Sequence, residues 1–295
     1  MGAGEPRNVW SLGAELGEGP VWVERDRALW FTDIKKRRIH RYDPADGGRN
    51  SWDAPEYVGF VLPASGGGFV AGLQSGLHHF DNENGAFRPI VEVDAHLPAN
   101  RLNDAVVDPA GRLWFGTMDN EEKAETGAIY RLGDDGRLVQ SGGECCITNG
   151  LAVSPDGRTL YHVDTFAKTI YACTIAEDGS LADRRIFCTI GADDGYPDGP
   201  SVDSEGCVWI GLYAGWSARR YSPSGELLER VRFPTANITK IAFGGGDLRT
   251  AFATTARQGM SEQELAAQPE AGDLFAFEVE TPGLPPTEIS RGLFA

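Results

Sequence analysis

One feature constrains the fold of this 295-residue chain more than any other: a unit of about 44 residues recurs six times along it. Each copy holds a short aromatic or aliphatic run with strand character. These runs are LWFTD around Trp30, FVAGL around Val70, LWFGT around Trp114, LYHVD around Tyr161, VWIGL around Trp209 and AFATT around Phe252. Successive anchors are 40, 44, 47, 48 and 43 residues apart. In most copies a second run follows and ends in a polar turn, as in IHRYDPADG, LHHFDNENG and AIYRLGDDG. Four short strands per unit at this period is the pattern of a β-propeller blade. The expected fold is all-β, a six-bladed β-propeller with four-stranded blades, in a single domain over residues 1–295. Residues Asn8–Leu12 are expected to complete the last blade and close the ring. The 38 glycines and 17 prolines agree, because many short strands need many tight turns.

Eleven or twelve residues before the anchors stand Glu18, the Val58–Gly59 pair, Asn103, Asn149, Asp198 and Lys240. The stretches NGLAVSPDGRTLY, NDAVVDPAGRLW and DGPSVDSEGCVW support this register, aligning with at most one gap. An amide or carboxylate is a poor choice for a strand that enters a core. In a propeller, however, the first strand of each blade lines the central channel. Five of six blades are therefore expected to aim a polar side chain at one axis. Glu18, Asn149 and Asp198 offer two carboxylates and an amide oxygen, hard donors that suit Ca²⁺, Mg²⁺ or Mn²⁺ better than a closed Cys/His zinc site. Two carboxylates in a narrow channel repel unless a cation joins them or one takes up a proton. The alternative is a ring that only hydrogen-bonds channel water.

A net charge of −16 argues against a nucleic-acid partner. The one basic run, Lys35–Arg38, is expected to be a solvated hairpin. Five cysteines without a C-x-x-C spacing suit a reducing, cytoplasmic setting. No apolar run has the length of a membrane span, and the first residues lack the apolar segment of a signal peptide. G-x-S-x-G, H-E-x-x-H and phosphate-loop patterns are missing from the sequence. The histidines at 40, 78, 79, 96 and 162 are scattered and read as structural. Asn237-Ile-Thr is a glycosylation sequon by pattern only.

Four stretches, LGEGPVW, RLNDAVVDPAGRLWFGTM, ITNGLAVSPDGRTLYHVDT and YPDGPSVDSEGCVW, resemble the senescence-marker-protein (regucalcin)/gluconolactonase family of sugar-lactone hydrolases. The likeness runs from Glu15 to about Phe277. It implies a six-bladed propeller whose metal ligands are Glu18, Asn149 and Asp198, with one divalent cation among Ca, Mn, Mg, Zn or Fe(II). It also implies that Asn103 contacts a metal-bound water or the substrate and that Arg101 hydrogen-bonds sugar hydroxyls. Glu121, in the loop Met118–Glu122, matches the family's acidic hydroxyl ligand, and a one-residue slip to Glu122 stays open. The YPDG and TK-x-x-FGG stretches look most like bacterial pentonolactonases. The implied activity is hydrolysis of aldonolactones, such as xylono-, arabinono- or glucono-lactone, with Asp198 as both ligand and base and Asn103 orienting water or carbonyl. The implied partner is a small lactone, the protein acting as a monomer or weak oligomer. Lys240 is expected to reach the same channel, either paired with a carboxylate or bonded to substrate. Alternatives are a calcium-dependent phosphotriesterase-like hydrolase and a non-catalytic metal-binding propeller.

Overall fold

The computed structural model describes residues 2–133 and 135–290. Four sheets each hold four antiparallel strands in chain order, led by the strands Gly17–Val23, Val58–Pro63, Asn100–Val107 and Thr148–Val153. A fifth sheet has eight strands. It consists of two groups of four, led by Tyr196–Val202 and Ile238–Gly244, joined by a single parallel pairing of Gly199 with Lys240. The leading strands pack on one another in order, and Ile238–Gly244 returns to Gly17–Val23, so six inner strands ring one axis. The last group takes its outermost strand from the start of the chain: Arg7–Trp10 pairs antiparallel with Leu274–Glu278. The closing strand is thus where the sequence placed it, shifted slightly toward the first residue.

The six anchors, Trp30, Val70, Trp114, Tyr161, Trp209 and Phe252, lie on second strands and are at most 4% exposed. A buried indole N–H needs an acceptor. In three repeats it comes from an aspartate in the turn just before the strand: Trp30 donates to Asp26 at 2.9 Å, Trp114 to Asp108 at 2.8 Å and Trp209 to Asp203 at 3.0 Å. Arg112 and Arg220 each add a 2.7 Å ion pair to the same carboxylates of Asp108 and Asp203. In DPAGRLW the aspartate, arginine and tryptophan bond within one stretch, whereas in DSEGCVW the arginine comes from the next strand. Truncating one of these tryptophans to alanine is expected to cost about 3–5 kcal/mol.

Register corrects one sequence-level assignment. Ala152 faces Tyr161 and Ala242 faces Phe252, so the residue equivalent to Asn149 is Thr239, not Lys240. The hairpin joining these two strands is one residue longer in the last repeat, so the same count back from Phe252 stops one residue short. Thr239 is fully buried, and its hydroxyl donates to Gly17 O at 2.6 Å, closing the ring rather than lining it.

One short helix, Glu262–Ala267, stands where the sequence reading expected only strands and turns. Ser261 and Glu264 form a reciprocal cap at its start.

Candidate functional site

In every repeat the pairing of the first two strands slips at the same point, beside Glu18, Gly59, Asn103, Asn149, Asp198 and Thr239. A bulge re-aims the side chain it carries, and here the repetition gathers four polar side chains at one height. Glu18, Asn103, Asn149 and Asp198 are all buried, at 5–8% exposure. Glycine follows the ring residue where the strands crowd. Gly150 has φ +43°, and a Cβ there would lie 1.5 Å from Pro200 Cδ. A Cβ on Gly199 would lie 2.7 Å from the Lys240 side chain. The Asn-Gly and Asp-Gly pairs are thus steric requirements of a narrow axis.

Hydrogen bonds fix each donor atom. Asn149 Nδ2 donates to Thr165 Oγ1 at 3.0 Å, and Thr165 passes its own proton to Pro197 O at 3.1 Å. This turns Asn149 Oδ1 toward the ring, where it accepts from Asn103 Nδ2 at 2.7 Å and keeps a second lone pair. Arg101, 2% exposed, donates to Asn103 Oδ1 at 2.6 Å. One Glu18 oxygen accepts from Gly19 N at 2.8 Å.

The two acids of the ring are close enough to share a hydrogen bond. Burial, followed by the charge of Asp104, raises Glu18 to about 7. Burial and then the neighbouring Glu18 raise Asp198 well above the ordinary carboxylate range. Asp198 Oδ1 is buried and has no partner among the described residues. Among those residues no three His, Cys, Asp or Glu side chains converge as a metal cluster, so a cation here would draw on amide oxygens as well as two carboxylates.

One residue further along lies a different arrangement. Lys240, 7% exposed, donates to Asp104 Oδ1 at 2.6 Å. Asp104 comes from the third inner strand and Lys240 from the sixth, opposite each other in the ring, so the pair bridges the axis. Lys240 is therefore held by a carboxylate, as one of the two expectations had it. NDA sets Asp104 where NGL and DGP have glycine, and the sequence alone does not show that it takes Lys240 as partner.

A cavity of about 380 Å³ begins at this pair and continues along the inner strands. Its walls include Trp22, Phe60, Leu62, Leu151 and Phe243, and it touches none of Glu18, Asn103, Asn149 or Asp198. This space is a mostly apolar channel, separate from the polar ring.

Around the ring's other side, the expected hydroxyl ligand Glu121 is exposed and bound to Lys123 at 2.8 Å. Glu122, with φ +59°, instead turns inward, accepting from Gln258 Nε2 at 3.2 Å and acting as the strongest charge on Arg101. Glu122, the residue of the one-residue slip, is thus the one of the two that lies near Arg101. Lys35 also departs from expectation: it is half-buried and donates to Asn120 Oδ1 at 2.9 Å, an oxygen that Arg101 Nε shares at 3.2 Å. Burial lowers Arg101 to about 10, which leaves it charged at neutral pH. Asn237 is buried and bonded to Ala214 N, so its sequon serves the fold.

The family model described as SMP-30/Gluconolactonase/LRE-like region matches residues 16–257. The chain belongs to this family. Within it, the chain is 36% identical over 269 residues to a 6-deoxy-6-sulfogluconolactonase of Pseudomonas putida, covering 91% of this chain and 92% of that protein. It is 35% identical over 274 residues to an L-arabinolactonase of Azospirillum brasilense, covering 91% and 90%. The crystal structure of a calcium-binding protein, regucalcin, from Agrobacterium tumefaciens superposes with a TM-score of 0.92 at 26% identity, covering 98% of this chain and 97% of that one. In this family member the ring residues Glu18 to Asp198 fall inside the matched span, while Gln258 lies just beyond it.

Proposed function

We propose that the ring is a divalent-cation site and that the protein hydrolyses sugar-acid lactones on six blades closed as one propeller domain. One observation carries this reading: Glu18 and Asp198 are buried side by side, and Asp198 Oδ1 has no protein partner among the described residues. Two buried acids in contact disfavour each other's charge, and a cation between them removes the conflict. Glu18, Asn149 and Asp198 would hold it, and their oxygen atoms favour Ca²⁺, Mg²⁺ or Mn²⁺. The lactonase names of the relatives from Pseudomonas putida and Azospirillum brasilense support the reaction class, and the calcium-binding relative supports the ion.

When bound, such a cation polarises a carbonyl oxygen and lowers the pKa of water. The protein's residues do the rest. Asp198 accepts the proton of the attacking water at the oxygen that lacks a protein partner. Asn103, clamped between Arg101 and Asn149, orients that water or the lactone carbonyl. Arg101 and Lys35 offer donors to the sugar's hydroxyl oxygens, and Glu122 accepts from its hydroxyl protons. Substrates of this kind are aldonolactones such as xylono-, arabinono- or glucono-lactone. Free cysteines at 145, 146, 173, 188 and 207 fit a reducing cytoplasm, and no helix among the described residues is long and apolar enough to cross a membrane.

A pH-stat assay on pentono- and hexono-lactones, beside phosphotriesters, tests the reading. Metal-free protein is expected to be inactive and to recover with an added divalent ion. Full activity without metal overturns the cation site, and turnover of phosphotriesters but not lactones overturns the substrate class.

A further inference from the structure

A polar clasp spans the third and sixth repeats beside the ring. Gln258 Nε2 donates to Glu122 Oε1 at 3.2 Å, across 136 residues of sequence. The backbone of Gln258 is held firmly: its N–H donates to Glu15 O at 2.8 Å, and its carbonyl accepts from Asn237 Nδ2 at 3.3 Å and from the Tyr213 hydroxyl. Tyr213 stands in the field of both Asp198 and Glu122, which add to burial in raising its pKa. Through Tyr213 and Glu122, Gln258 is anchored in the electrostatic neighbourhood of Asp198 and Arg101.

The orientation of the Gln258 carboxamide follows from its partner. Reversed, it would set Oε1 against the Glu122 carboxylate, an acceptor against an acceptor. With Nε2 on Glu122, Oε1 is left buried and without a partner among the described residues. A buried acceptor left unpaired is costly, and a native structure keeps one where something else is meant to donate to it. Water or a ligand hydroxyl can fill that role.

We infer that Gln258 and Glu122 form a hydroxyl-reading subsite, in which the carboxamide and carboxylate oxygens accept from hydroxyls of the bound lactone. This rests on the lactonase reading and adds to it a specificity-determining residue, Gln258. Arg101 and Lys35, linked through Asn120, present donors from the neighbouring part of the site. A sugar hydroxyl both donates and accepts, so it satisfies both sets. A methylene satisfies neither, and a sulfonate or carboxylate offers only acceptors to Gln258 and Glu122. The subsite therefore selects a lactone with a free hydroxyl at one position.

The experiment is a panel of single-deoxy aldonolactones assayed on the metal-loaded wild type and on Gln258→Met, with metal content and Tm recorded for both. The wild type is expected to favour the parent lactone over one deoxy lactone by about 10–100-fold in kcat/KM. In Gln258→Met that ratio is expected to fall toward one, through loss on the parent, while the ratios at other positions persist. An equal loss on every lactone, with all ratios unaltered, overturns the subsite and leaves Gln258 as loop support. Should Gln258→Met not fold, Glu122→Gln keeps the side-chain shape and is read by the same ratio. Calorimetric binding of the matching aldonic acids needs no turnover and separates the two proposals. Hydroxyl-dependent binding lost in Gln258→Met, without hydrolysis of any lactone, upholds the subsite and overturns the lactonase reading. Absence of hydroxyl discrimination in both assays overturns the subsite.

Discussion

Asp104 and Asp198 are carboxylates of the same channel, 3% and 5% exposed, and they meet burial in opposite ways. Asp104 carries its counter-charge within the protein, the Lys240 ammonium at 2.6 Å. Asp198 faces a second acid, Glu18, and one of its oxygens has no partner among the described residues. One residue of register separates the two arrangements. The contrast teaches that this fold can neutralise a carboxylate on its axis when it only needs structure there. Where it leaves two acids together, burial and neighbouring carboxylate charge raise both, and a proton or a cation relieves the pair. The Asp104–Lys240 pair also bounds the ring, so that the side chains next to Glu18 and Asp198 carry no net charge.

The comparison breaks first at Asp198. Asp198→Asn keeps an oxygen donor but removes the proton acceptor, so kcat on a lactone is expected to fall about 10³–10⁴-fold, while Arg101→Ala acts mainly on KM. Steady-state kinetics in a pH-stat checks both, and a loss below about tenfold for Asp198→Asn would place the base elsewhere.

The paired layer should respond in stability. Lys240→Met strands a buried carboxylate and is expected to cost about 3–5 kcal/mol, whereas the double change with Asp104→Asn recovers most of it. Urea denaturation of the four proteins in that cycle gives the coupling. A double variant destabilised by the sum of the two single changes would mean that the ion pair is incidental.

Much of this was legible in the sequence because propellers repeat. The period of the anchors announced the sheets, and NGLAV, NDAVV and DGPSV showed which residues share a register. Glu18, Asn103, Asn149 and Asp198 followed from that alignment and are brought together. What stayed hidden depends on contacts between repeats. Lys240 was misplaced by one position because a hairpin one residue longer does not reveal itself by counting. Asp104 could be understood only once its partner from the opposite strand was known. Glu122, not Glu121, turns toward Gln258 at a left-handed backbone residue that sequence does not mark, and Gln258 lies in a long connection with no repeat counterpart.

A third way of burying a titratable group sharpens the contrast at smaller energies. His40 and His162, each 1% exposed, stay neutral, with burial lowering both to about 4. The unfolded chain takes up protons near the ordinary value of 6.5, before the folded protein does. Their contribution is therefore present above pH 6.5 and is lost as pH falls from 6.5 toward 4, by at most about 3 kcal/mol for each. Replacing His162 by Gln should flatten that part of the stability profile, measured by denaturant midpoint against pH. An unchanged slope would show that carboxylates alone set the acid limit.

Isothermal calorimetry of Ca²⁺ and Mn²⁺ binding tests the contrast between the two layers most directly. The wild type is expected to bind one divalent ion per chain. Glu18→Gln combined with Asp198→Asn should abolish that binding, and the Asp104→Asn/Lys240→Met pair, which leaves that layer neutral, should retain it. Binding that survives loss of both ring carboxylates, or a wild type that binds no divalent ion, would contradict the account.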